Sequence, residues 1–278
     1  MDDLEDTQYR LEKELEELRP IRAFVRMGDG TAAEVPAVMG EATRTDLAPL
    51  REPPAAPQVA AHNFRFSEDY DLYPSGAKTK YKNNVMAIKL LKQIELEKRT
   101  ATPEEQIILA RYVGWGGLAN AFSSTASGWE NEYQELKSLL TDVEYKAAMN
   151  STITAYYTEP DLIRHIYRAL ERFGFEGGPD RKILDPGMGT GNFYSVLPEQ
   201  FQESKLFGVE LDSITGRIAK QLYPDADISI MGYEATKFED NSFDVILGNI
   251  PFNSVKIYDR RYNCLLYTSD AADDSLRV

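Results

Sequence analysis

The sequence has one cysteine, Cys264, and two histidines, His62 and His165. A disulfide framework is therefore excluded, and so is a Cys/His zinc cluster. No set of carboxylates is spaced like a metal site, so no metal is expected. No apolar run reaches the roughly 20 residues needed to span a bilayer. The start, Met1-Asp2-Asp3-Leu4-Glu5, has no apolar signal core. These absences predict a cytoplasmic chain with no membrane partner. Positive charge is also short: 31 Lys and Arg face 45 Asp and Glu, for a net charge of −14. Taken alone, that argues against a nucleic-acid binder, but distribution matters more than the total. Residues 78–99 gather Lys78, Lys80, Lys82, Lys89, Lys92, Lys98 and Arg99 around Tyr81. This basic face reads either as a solvated helix surface or as a set of phosphate contacts.

What is present falls into four stretches. Residues 1–61 read as an acidic helix and a disordered linker. Leu4, Leu11, Leu15 and Leu18 form the helical stripe, and Ala, Pro, Gly and Thr dominate residues 28–61. Residues 62–150 read as a small helical domain. Val85, Ile88, Leu91 and Ile94 mark one helix over 84–99. Thr102, Pro103 and Glu105 make a capping box for the next, which stops at Gly114-Trp115-Gly116-Gly117. Thr141 and Glu144 repeat the box.

From residue 151 the pattern changes. An amphipathic helix over 160–173 is followed by short apolar strands alternating with helices. The strands are Lys182–Asp185, Leu206–Glu210, Ile228–Ile230 and Phe243–Leu247. The helices start at Asn192 and span 214–223. This alternation predicts an α/β, doubly wound parallel sheet over 151–263. Such sheets bind ligands outside the carboxyl ends of their strands.

The chemistry-bearing residues sit at those ends. The first strand runs into Asp185-Pro186-Gly187-Met188-Gly189-Thr190-Gly191-Asn192-Phe193. Alternate glycines let the backbone approach a ligand closely. The dinucleotide fingerprint G-x-G-x-x-G is not matched, and the G-K-[ST] of a phosphate loop is absent. Glu210 ends the second strand about 20 residues on, where an acid meets the ribose hydroxyls of an adenosine ligand. Asp185 is placed for a cationic group of the same ligand. A lone strand-end acid is ordinarily structural. The two acids and the loop together favour a nucleoside cofactor over a structural role, and the glycine spacing argues against a nicotinamide-dependent enzyme.

The fourth strand runs into Gly248-Asn249-Ile250-Pro251-Phe252. Asn-x-Pro is a common turn. At this sheet edge it also offers two acceptors, the Asn249 side chain and the carbonyl of residue 250, to the hydrogens of an exocyclic amine. Phe252 can stack on a base flipped from a duplex.

Taken together, residues 151–263 resemble the amino-methyltransferase branch of the S-adenosylmethionine-dependent enzymes, N6-adenine DNA methyltransferases in particular. The resemblance implies a Rossmann-like fold and S-adenosylmethionine as cofactor. Asp185, Gly187, Gly189, Gly191 and Phe193 resemble its cofactor loop, and Glu210 matches its ribose acid. Tyr157, Thr158 and Pro160 resemble the element that closes over the cofactor's methionine end. Glu234 stands near the place of its third acid, shifted by one position. Asn249, Ile250, Pro251 and Phe252 resemble the catalytic N-P-P-[YF], with isoleucine in place of the first proline.

Phe64–Tyr81, Ala101–Phe122 and Ser151–Thr158 are similar to the large methylase–helicase proteins of bacterial conjugative elements and phages. This implies DNA as substrate and a downstream helicase domain as partner. Cytosine N4, RNA or a protein glutamine are other amines open to the same chemistry. A non-catalytic cofactor-fold scaffold or DNA-binding module is the alternative of a different class. Residues 264–278 resemble a translated sequencing adapter. The expectation is a non-native tail on a methyltransferase domain that is C-terminally truncated near Asn263.

Overall fold

A computed structural model describes residues 23–26, 32–35, 62–73, 75–152 and 158–249. The chain divides into two units, Met1–Ala60 and Ala61–Val278. The first contains an antiparallel pair, β1 (Ala23–Arg26) and β2 (Ala32–Val35), with Arg26 opposite Ala32. This corrects the disordered-linker reading at 32–35. Composition taken over 28–61 averages away a short strand. The helix expected over 4–18 and the tail 264–278 lie outside the described residues.

The second unit opens with an extended segment, residues 62–67, and then the helices. Helix α1 (Ala77–Glu97) buries Val85, Ile88, Leu91 and Ile94 along one face. Helix α2 (Pro103–Ala110) begins at the expected capping box. The Thr102 hydroxyl accepts from the Glu105 N–H at 3.3 Å, and Glu105 Oε2 accepts from the Thr102 N–H at 2.8 Å. Helix α3 (Glu130–Leu139) has no counterpart in the sequence reading. It buries only Leu136, too little to display a period. Helix α4 (Asp142–Ser151) carries the second capping box.

The Gly-Trp-Gly-Gly turn is a core feature. Trp115 is buried and meets Phe122 edge-on, with ring centroids 5.2 Å apart. Buried Asn84 pins the turn to α1. Its amide donates to the Gly114 carbonyl at 2.6 Å, and its oxygen accepts from the Val113 N–H at 2.9 Å.

Much of the basic face of α1 is engaged within the protein, while Lys82 and Lys98 are exposed. Lys78 pairs with Glu132 at 2.6 Å, Lys89 with Glu135 at 2.9 Å and Lys92 with Glu144 at 3.3 Å. Arg99 grips Glu105 through both terminal nitrogens at 2.6 Å. These cations hold α3, α4 and the start of α2 against α1. The partners of the three lysines are remote in sequence, so a charge count along the chain misses them.

Helix α5 (Pro160–Arg172) turns Ile163 and Tyr167 inward. Strand β3 (Lys182–Asp185), helix α6 (Asn192–Ser195), strand β4 (Lys205–Glu210), helix α7 (Ser213–Leu222), strand β5 (Asp227–Ile230) and strand β6 (Val245–Ile246) follow. The sheet order is β5-β4-β3-β6, and every pairing is parallel. The chain builds outward from β3 to β5, then returns to lay β6 on the other side of β3. The reversal lies between β3 and β6, so their carboxyl ends flank the crevice where such sheets take ligands.

The expected boundary at 150/151 does not separate two units. The Ala101 N–H donates to Gln221 Oε1 at 2.9 Å, and the Gln106 amide donates to the Gln221 carbonyl at 2.9 Å. Arg217 of α7 binds Glu95 of α1 at 2.8 Å and also Glu144 of α4. The helical segment is packed onto the outer face of α7. A change in secondary-structure pattern marked the boundary, but packing crosses it.

Candidate functional site

The glycine loop is held by β4 as much as by its own strand. Asp185 ends β3, and its Oδ1 accepts from the Gly187 N–H at 3.1 Å. The Met188 N–H donates to the Val209 carbonyl at 3.0 Å. The Gly189 N–H donates to Glu210 Oε2 at 2.8 Å. Gly189 and Gly191 have φ of 57° and 90°, which side chains rarely tolerate. At Gly191 packing adds a second demand, since a Cβ there would lie 2.3 Å from the buried Tyr223 ring. The Tyr223 hydroxyl donates to the Gly191 carbonyl at 2.8 Å, fixing the end of the loop.

Glu210 is arranged as an acceptor with room to spare. Oε2 takes the Gly189 N–H, and Oε1 takes the Asp212 N–H at 2.7 Å. A carboxylate offers about four lone-pair sites. Two are used, so two hydroxyls of a ribose can be met by the others. Asp212 in turn caps α7, accepting from the Thr215 N–H at 2.8 Å, so the helix start fixes the group that orients Glu210.

Asp185 is buried, and the end of β6 closes over it: a Cβ at Gly248 would fall 2.4 Å from Asp185 Oδ1. Gly248 thus lets the β6 turn approach Asp185 and carries Asn249 to the same edge. Asn249 is half-buried.

No cation among the described residues pairs with Asp185 or Glu210. Burial pushes Asp185 up to about 7, with the Gly187 N–H opposing and the Glu210 charge adding to the rise. Burial likewise pushes Glu210 up to about 7, opposed by the Asp212 N–H and reinforced by the Asp212 charge. Two under-compensated carboxylates favour a ligand that brings positive charge.

A pH dependence follows. Both folded values exceed the unfolded ones, so the folded chain binds these protons more tightly. The empty chain should lose stability as pH rises from about 4 to about 7, and change little from these groups above that. A cationic ligand needs the ionised acids, so its affinity should rise over the same interval. Thermal melts with and without ligand across this range check both slopes. A ligand-induced shift that shrinks with rising pH would contradict the assignment.

The remaining expected residues are placed as follows. Thr158 is brought to the loop, its carbonyl accepting from Asn192 Nδ2 at 3.3 Å. The Thr158 hydroxyl oxygen is buried with no partner among the described residues. Pro160 opens α5. The Phe193 ring is buried under the loop, and its carbonyl accepts from the Tyr167 hydroxyl at 2.9 Å. Glu234 lies in the exposed turn after β5, folded back over Gly232. No hydrogen bond among the described residues joins it to Glu210 or the loop. Tyr157, Ile250, Pro251 and Phe252 lie outside the described residues.

Three contributors had no part in the expected site: Gly248, Asn192 and Tyr73. Gly248 was signalled by a glycine directly before Asn249. Asn192 was signalled by an amide directly after the last loop glycine. Tyr73 had no local signal.

A methyltransferase-domain family model matches residues 184–262. The match starts at the end of β3 and takes in the glycine loop, Glu210 and Asn249. It agrees with the Rossmann-like parallel sheet, and its cofactor is S-adenosylmethionine. The chain is 26% identical over 171 residues to "Defense against restriction protein B" of Escherichia phage P1, covering 61% of this chain and 6% of that protein. It is 32% identical over 78 residues to "Modification methylase CviBIII" of Paramecium bursaria Chlorella virus NC1A, covering 28% of this chain and 21% of that one. The chain therefore spans only a small part of the length of either relative. Among solved structures, a TehB-like SAM-dependent methyltransferase from Corynebacterium glutamicum aligns at 24% identity and a TM-score of 0.22, over 32% of this chain and 54% of that one.

Proposed function

We propose that this chain carries the catalytic part of a DNA methyltransferase that moves a methyl group from S-adenosylmethionine to adenine N6. The observation that carries the reading is Gly248 packed against Asp185, which brings Asn249 to the loop that suits the cofactor. The relatives named a modification methylase and a defence-against-restriction protein support DNA as the substrate. A helicase domain in the parent protein, and the setting of a mobile element, rest on the resemblance of residues 62–158 to methylase–helicase proteins.

The donor set suits the cofactor. Glu210 would hold the ribose hydroxyls, Asp185 the cationic end, and Gly187, Gly189 and Gly191 would let the backbone close on it. The lone Thr158 hydroxyl would find its partner there. When bound, S-adenosylmethionine supplies an electrophilic methyl on a positively charged sulfur. The chain's own work is on the acceptor. A purine amino lone pair is delocalised into the ring. Asn249 Oδ1, with the carbonyl of residue 250, would accept the two amino hydrogens and draw the nitrogen toward a pyramidal shape. The nitrogen would gain the methyl as the methyl–sulfur bond breaks and the sulfonium becomes a neutral thioether, and one amino proton would pass to water. Phe252 would stack on the flipped base.

The test is labelled S-adenosylmethionine with duplex DNA, followed by digestion and identification of the methylated base, with Asn249→Ala beside the parent. Label in N6-methyladenine, lost in the variant, is the expected result. Cofactor binding without transfer would instead mark a non-catalytic scaffold.

A further inference from the structure

The segment before α1 has no place in the reaction described above, yet it is fastened to the helices around the glycine loop at several points and to the loop itself at one. The Phe64 N–H donates to the Leu222 carbonyl at 2.7 Å, and the Phe66 N–H donates to the Ser195 carbonyl at 2.9 Å. Arg65 donates to the Leu197 carbonyl at 2.6 Å. The Arg164 guanidinium of α5 stands 5.3 Å from the Phe66 ring centre. At the far end, the Tyr73 hydroxyl accepts from Asn192 Nδ2 at 2.9 Å, across 119 residues.

Asn192 is the junction. It directly follows Gly191, the last loop glycine. Its amide nitrogen has two hydrogens to donate, and the Thr158 carbonyl at 3.3 Å is the second acceptor. The Asn192 oxygen faces the Thr190 hydroxyl at 3.4 Å. One side chain therefore ties the glycine loop, the segment entering α5 and the segment before α1. A loop whose glycines sit at positive φ has much freedom to lose when a ligand orders it. Bracing it beforehand lowers that loss on binding.

We propose that Tyr73 is a positioning residue of the cofactor site, acting through Asn192 to hold the Gly189–Asn192 turn and Thr158 in the binding-competent arrangement. The segment 62–73 is then part of the cofactor site and not merely a lead into the helices. The proposal rests on the reading of the loop as the S-adenosylmethionine site.

The experiment uses the full chain. Calorimetric titration with S-adenosylmethionine compares the parent, Tyr73→Phe, Asn192→Ala and the double variant. Hydrogen exchange is followed at the amides of residues 187–195 in the empty proteins. Loss of one hydrogen bond predicts about fivefold weaker binding by Tyr73→Phe, faster exchange at the turn and an unchanged melting temperature. The double variant should bind no more weakly than Asn192→Ala alone. Parent-like affinity in Tyr73→Phe, additive losses in the double variant, or a weaker affinity matched by a general fall in melting temperature would each overturn the proposal. A parent that binds no S-adenosylmethionine would instead bring down the underlying reading of the site.

Discussion

Replacing Asn249 by alanine should lower methyl transfer to DNA by about 10²- to 10³-fold, while S-adenosylmethionine still binds. The magnitude is that of removing one preorganised polar partner from a developing charge. Asn249 stands one residue beyond Gly248, whose lack of a side chain lets the β6 turn close on Asp185. It is half-buried and carries no structural hydrogen bond among the described residues. Alanine therefore removes an acceptor and breaks no hydrogen bond among the described residues. Loss of transfer with cofactor affinity preserved would place Asn249 on the acceptor side of the reaction. Equal loss of both would make it part of the cofactor's own cradle, and unchanged transfer would remove it from the chemistry.

The second large effect is expected at Gly191. Valine there meets two obstacles together. Its φ of 90° is strained for a β-branched residue. Its Cβ would also enter the Tyr223 ring, which is buried and already bonded to the Gly191 carbonyl. Tyr223 caps α7 and packs against Tyr194 at a centroid distance of 5.7 Å, so displacing the ring disturbs that packing. Strain and overpacking together predict a loss of about 3 kcal/mol or more in denaturant unfolding. Cofactor binding should be lost under conditions where the variant remains folded. Gly178 provides the contrast: its φ is also positive, but a Cβ there meets nothing within 4 Å. Gly178→Ala should be milder and should leave binding alone.

Much of the sheet was legible because its signals are local. Lys182–Asp185 was read with its observed bounds, and β4, β5 and α7 to within one residue. Short apolar runs bounded by glycine and acid are hard to mistake when helices of regular length separate them. Strand β6 came out shorter than Phe243–Leu247. The Asp244 and Leu247 N–H groups still donate to the Lys182 and Leu184 carbonyls at 3.0 and 2.9 Å, so the ladder extends past the strand's formal ends. The capping boxes at Thr102 and Thr141 were legible for the same reason, each being complete within four residues.

What escaped was carried by remote partners. The lysines of α1 looked like a surface until Glu132, Glu135 and Glu144 were placed opposite them. The Gly-Trp-Gly-Gly turn looked like a plain helix stop, although Asn84 binds it from 30 residues away. Tyr73 gave no sign of its link to Asn192. Asp185, the glycines and Glu210 could be located in the sequence because strand ends and loop spacing define their positions. Whether a side chain at such an end is free or committed was not legible. Glu210 proves to be partly engaged with the loop amides, and Phe193 belongs to the core.

Asp185–Gly191 and Glu210 together form the proposed single site for S-adenosylmethionine. Its most direct test is calorimetric titration of the full chain with S-adenosylmethionine, run beside Glu210→Ala. The expected result is saturable binding of one molecule per chain, weakened at least about tenfold in the variant by the loss of charge-assisted bonds to the ribose. No saturable binding by the parent, or an affinity indifferent to Glu210→Ala, would contradict it.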